Sequence, residues 1–195
     1  MANRDNPMGL RPAYHLTGGV IRQQVYSIAS AYGTGIWSGD LVHVVDTSRN
    51  IEAGDGAGDA PFIGVFAGCE YSDASGNKIF SRQWLASTAT LGSVDAVAYV
   101  YDDPNIVWII QADGALAVTD VWRQADLAYT AGSTVTGQSK TELDYSNLGT
   151  GKNFHVYGIY DHPENTAGST NVDVLVLINE HSLVNGGATQ YEEVT

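Results

Sequence analysis

Apolar residues in this chain fall in short runs separated by clusters of Gly, Asp, Asn, Ser and Pro, a pattern that predicts strands joined by turns. The run FIGVFAG (62–68) is apolar on both faces and is expected in a central or sandwiched position. AVAYVY (96–101) and IVWIIQ (106–111) flank Asp102-Asp103-Pro104-Asn105, whose last three residues fit successive positions of a type I turn. These two strands are expected as antiparallel neighbours. EYSDASGNKIFSRQW predicts a hairpin around Ser72–Asn77, and FHVYGIY (154–160) with VDVLVLI (172–178) predicts a further hairpin or two neighbours in one sheet. VIRQQVYSIASAYGTGIWSGDLVHVV reads as strand, Gly-rich turn and strand, the last from Leu41 to Val45 after a turn at Ser38-Gly39-Asp40.

Other stretches break this rhythm. DTSRNIEAGDGAGDAP (46–61) reads as a surface loop with no core residues. TDVWRQADLAY (119–129) opens on a capping residue and predicts a short helix, while SKTELD offers a Ser139/Glu142 capping box. About eight strands in all give a mainly β domain, closed as a barrel or folded as a sandwich, with one or two short helices.

Composition agrees with that reading. The chain has 195 residues, 44% apolar and only 16% charged, with 22 Gly and 11 Tyr. This suits one packed β domain, expected over 20–184, with an extended N-terminal arm at 1–19 and a shorter tail at 185–195. The formal charge is −13, yet residues 1–25 hold Arg4, Arg11 and Arg22 against Asp5 alone, which leaves −15 on the remainder. Such a body repels nucleic acid. The single cysteine, Cys69, cannot form an intrachain disulfide and is expected as a small buried hydrophobe in a protein folded in the cytoplasm. No signal peptide or membrane helix is read in the sequence, so a soluble protein without membrane contact is expected.

Candidate chemistry is sparse. The histidines, His15, His43, His155, His162 and His181, lack the spacing that places two imidazoles on one metal. Asp102 and Asp103 are adjacent in a turn, and Asp55, Asp59 and Asp73 lie in Gly-rich loops where Asp is common for turn geometry. The 46–59 stretch lacks the alternating acids and distal Glu of a calcium loop. No nucleophile elbow, phosphate loop or dinucleotide fingerprint is present, so neither a cofactor nor an enzymatic activity is expected. Of the aromatics, Trp84, Trp108 and Trp122 sit in apolar runs and are expected in the core, with Tyr14, Tyr191 and Trp37 as exceptions.

The N-terminal RDNPMGLRPAYHLTGG stands apart. Pro7 and Pro12 disfavour helix, and Gly9, Gly18 and Gly19 interrupt any strand, so the segment is expected not to join the body's sheet. Composition leaves two readings: a mobile terminus, or an arm whose Met8, Leu10, Tyr14, Leu16 and arginines bind a neighbouring subunit.

Taken in order, MANRDNPMGLRPAYHLTGG, SGDLVHVV, FIGVFAGCEYSDASG, DDPNIVWIIQADG, TGQSKTELD and LVLINEH make nearly the whole chain resemble the head decoration, or cement, proteins of tailed bacteriophages. The resemblance implies a β-barrel or β-tulip body. It further implies a homotrimer on the outer surface of an expanded icosahedral capsid, clamping adjacent copies of the major capsid protein, with no active site. Another virion role, in neck, tail or shell, is the alternative, followed by a carbohydrate-binding or glycan-cleaving module. Under this resemblance Arg4, Met8, Leu10, Arg11, Tyr14, His15 and Arg22 are the candidate capsid contacts, and 115–152 is expected as an insertion or second lobe.

Overall fold

A computed structural model describes residues 3–56 and 61–184, so the expected tail, Tyr191 and Asp59 lie outside the described residues. The chain is mainly β, and its strands are numbered in chain order. One six-stranded antiparallel sheet runs β1 (Arg11–His15), β10 (Ile106–Gln111), β14 (Asp173–Ile178), β13 (Phe154–Ile159), β11 (Gln124–Ala128), β12 (Glu142–Gly149). The other runs β2 (Gln24–Ile28), β9 (Ala96–Tyr101), β6 (Gly64–Ser72), β4 (Leu41–Val44), β5 (Ile51–Ala53), with β7 (Lys78–Ser81) also paired to β6. A short pair, β3 (Ile36–Trp37) with β8 (Gln83–Trp84), completes the set. The arrangement is sandwich-like and no barrel closes, although β12 curls back to the end of β10 through a bridge between Ala112 and Leu143.

Two cores follow from the alternation of the strands. Trp108, Ile110, Phe154, Val156, Val174 and Val176 fill the first core, whereas Ile28, Ile36, Cys69, Trp84, Ala98 and Val100 fill the second. Adjacent residues are divided between them: Leu41, Phe62 and Val65 point into the first, Val42, Ile63 and Phe66 into the second. This division explains why 62–68 is apolar on both faces, since period-2 alternation there meets a core on either side.

The same geometry corrects one pairing. β9 and β10 have the expected bounds, and the turn between them closes with an Ile106 N–H to Asp103 C=O bond of 3.3 Å, yet the strands belong to different sheets. Ala96, Ala98 and Val100 bury into the second core while Ile106, Trp108 and Ile110 bury into the first, so the turn carries the chain across the sandwich. The expected hairpins do form between β6 and β7 and between β13 and β14.

Neither expected helix is present. Residues 118–120 form one 3-10 turn, after which β11 lies between β12 and β13, and Ala125 and Leu127 enter the first core. Pairing on both sides overrides local helix propensity. The Ser139 hydroxyl accepts from Thr141 N–H at 3.0 Å, two residues on, which makes a turn and not a cap; Glu142 then starts a strand. Leu116, Ala125, Leu127 and Leu143 all join the first core, so 115–152 continues the same body and forms no second lobe. The 46–61 stretch is likewise more than a loop, because Ile51 and Ala53 are buried in β5.

Candidate interaction surface

The N-terminal segment is strapped onto the body. Asn3 exchanges two hydrogen bonds with the Thr166 backbone, its Oδ1 accepting at 2.7 Å and its Nδ2 donating at 3.1 Å. The Gln111 amide donates to Arg4 C=O and accepts from Asn6 N–H, both at 2.9 Å. Gln138 Nε2 donates to Met8 C=O at 2.7 Å, and Leu10 N–H donates to Gly39 C=O at 2.9 Å. Gly9 passes this point at φ +65°, where a Cβ would lie 2.5 Å from the Ser139 side chain. The expectation that this segment stays out of the sheet is therefore corrected. The side-chain amides of Gln111 at the end of β10 and of Gln138 bond its backbone, and β1 pairs with β10 as an edge strand, a position that tolerates Pro12.

That docking redistributes the candidate contact residues. Leu10 is 3% exposed and lies in the first core, so it serves the chain itself. His15 is also committed internally: its Nδ1 accepts from the backbone N–H groups of Thr17 and Gly19, and its Nε2 lies 3.0 Å from Asp103 Oδ2. Met8 is half-buried, whereas Arg4, Tyr14 and Arg22 are exposed. Arg4, Met8 and Arg11 line a cleft of about 310 Å3 with Gln111, His162 and Asp173, and Arg22 is not part of it. Arg11 is paired there with Asp173 at 3.5 Å, and its buried Nε has no hydrogen-bond partner.

The strongest surface feature was not foreseen. Trp122 is 67% exposed, while the other three tryptophans, Trp37 included, are buried. Its backbone sits at φ +72°, a region costly for a bulky side chain, and is held by Trp122 N–H to Val156 C=O at 2.8 Å and Val156 N–H to Arg123 C=O at 2.9 Å. Its indole meets His155 and Tyr157 edge-to-face, with centroids 5.5 and 5.6 Å apart. Tyr157 occupies a bulge in β13, and the Tyr14 hydroxyl beside it has its pKa raised, first by burial and then by Tyr157. No local signal marked Trp122 for exposure, because it sits beside apolar Val121 in a stretch that reads as a short helix.

Buried ionisable groups lie elsewhere. Asp40, 1% exposed, accepts from Trp37 N–H at 2.9 Å, and burial raises its pKa to about 6. His181 is fully buried, and desolvation lowers its pKa against the opposing charges of Asp102 and Asp103. Cys69 is buried and free, its thiol pushed up to about 12 by burial. Among the described residues no three of His, Cys, Asp or Glu are placed to hold a metal ion, and no helix is long and apolar enough to cross a membrane. Comparison with protein-family models, with curated proteins and with solved structures found no match.

Proposed function

We propose that this chain is a non-enzymatic structural protein of a tailed-bacteriophage virion that binds the outer capsid surface as a homotrimer and cements adjacent major capsid subunits. The observation that carries the reading is the strapped N-terminal segment. On a chain of formal charge −13 it brings Arg4 and Arg11 into one cleft, with exposed Tyr14 three residues along β1, all fixed to a two-core β body. A preformed strip that sets exposed Arg4 and Tyr14 beside the Arg11–Asp173 pair suits a mixed protein surface at low ordering cost, because its conformation is already set before contact. Contacts available only in the assembled lattice then favour that lattice by mass action. The ordered sequence segments that resemble head decoration proteins support the same reading.

The test is co-sedimentation of the purified protein with expanded capsids stripped of it, with oligomer mass read by analytical ultracentrifugation. Saturable binding of a trimer is expected, and Arg4→Glu with Tyr14→Ala together should weaken it at least tenfold without lowering the melting temperature. Full binding by that double variant overturns the assignment of the surface. Absence of binding by the unmodified protein overturns the function.

A further inference from the structure

We propose that the outer face of the β1–β10–β14–β13 sheet carries a binding site for a neutral saccharide, with Trp122 and Tyr157 as its stacking platform and Tyr14 at its margin. Separate backbone irregularities converge on these rings. Trp122 is held at positive φ, Tyr157 sits in a bulge between Val156 and Gly158, and a second bulge between Pro12 and Tyr14 re-aims Tyr14. Bulges and strained dihedrals of this kind are retained where a side chain must be aimed.

Area and charge select the occupant. The rings of Trp122 and Tyr14 are 67% and 41% exposed, and Tyr157 less so. Aromatic side chains bury 150–250 Å2 when fully covered, so the free platform offers about 300 Å2. A stable protein interface needs roughly 800 Å2 on each partner, whereas a face this small matches one or two pyranose rings. Nucleic-acid bases also stack on aromatics, but that mode requires a positive channel, and this chain carries −13. The nearest charges along the chain, Asp120 and Arg123, neutralise each other at 3.1 Å.

The chemistry then follows from the rings. The negative π face of the indole attracts the C–H face of a pyranose, and edge contacts from His155 and Tyr157 keep the indole from collapsing onto the sheet. The neighbouring polar groups are committed to the fold, Arg123 donating to Asp120 Oδ1 at 3.1 Å and to Leu148 C=O at 3.2 Å, so the rings themselves carry the binding.

The site shares Tyr14 with the capsid-contact strip, so its test uses Trp122 and Tyr157, which that strip does not include. Trp122 is the one exposed tryptophan, so its fluorescence reports directly on stacking. Titration with cellohexaose, maltohexaose, chitohexaose and laminarihexaose is expected to give a saturable blue shift with at least one of them. Measured by isothermal titration calorimetry, which does not depend on the exposed indole, Trp122→Gly, which suits the left-handed backbone, and Tyr157→Ala should each weaken that binding at least tenfold with unchanged circular dichroism. Trp122→Phe should restore part of it. No saturable shift with any of the four overturns the proposal, as does binding that survives both truncations. A fall in oligomer mass on Trp122→Gly also overturns it, since the face would then be a subunit contact.

Discussion

Gln138 and Met8 are joined by a hydrogen bond of 2.7 Å from side-chain amide to main-chain carbonyl. The same amide donates to Ser38 C=O at 2.9 Å, and its oxygen accepts from Arg82 at 2.6 Å, so one side chain binds the N-terminal segment, the β3–β4 turn and β8's approach together. Gln138→Ala leaves the Met8 carbonyl without that donor, while Ser38 C=O keeps the Ser139 N–H at 3.0 Å. Amide hydrogen exchange of residues 8–10 should rise at least tenfold, with stability lower by about 1–3 kcal/mol in denaturant unfolding.

Gly9 is the narrowest point of the strap. Its φ of +65° and the 2.6 Å between a built Cβ and Gly39 C=O leave no room for a side chain. Gly9→Ala should cost about 2–4 kcal/mol, whereas Gly18→Ala, with open space around it, should cost about 1 kcal/mol from its positive φ alone. Paired thermal melts of the two variants separate packing from backbone strain.

Much of the strand layout is visible in the sequence because each strand carries its own period and its own turn chemistry. β9 and β10 appear at their exact bounds for that reason. Their partners are not visible: Ala98 and Trp108 look alike as apolar positions, and nothing local says that they face different cores. The N-terminal segment is illegible for a related cause. The Asn3 side chain ties it to the Thr166 backbone, and the Gln111 and Gln138 side chains bond its own backbone, long-range polar contacts that leave no periodic trace. The arginines and Tyr14 of the candidate surface could be named from composition, whereas Leu10 and His15 could not be told apart from them without knowing that the segment folds in. Trp122 is exposed on a backbone at φ +72°, neither of which the sequence announces.

Asp40 gives the chain an acid-favoured term. Its folded pKa of about 6 lies above the unfolded 3.8, so the folded state holds the proton more tightly, and stability falls as pH rises from about 4 to 6. At neutral pH the ionised, buried carboxylate costs up to about 3 kcal/mol. Asp40→Asn should flatten this limb, so that chemical denaturation at pH 4 and pH 7 separates the variant from the parent chiefly at pH 7.

His181 acts in the opposite sense. Its folded pKa is lowered below the unfolded 6.5, so the folded state disfavours the charged ring and stability is lost as pH falls below that value. Melting temperatures of His181→Asn between pH 7.5 and 5 should decline less than those of the parent. An equal decline would assign the acid sensitivity to another group.

Cys69 is predicted to be chemically silent. With its thiol pushed up to about 12 and its side chain in the second core, iodoacetamide at pH 8 should modify it only at the rate of global unfolding. Labelling that tracks denaturant concentration, followed by mass spectrometry, would show this.

The pairing of Arg11 with Ile109 has a consequence for biosynthesis. A ribosome adding roughly 5–20 residues per second releases the first strand many seconds before its partner exists. A waiting strand is an open template for whatever edge it meets, in the same polysome or beyond it. Pro7, Pro12, Arg4 and Arg11 lie on or beside that strand, and prolines and charges of this kind discourage edge-to-edge pairing, which shields it until β10 emerges about a hundred residues later.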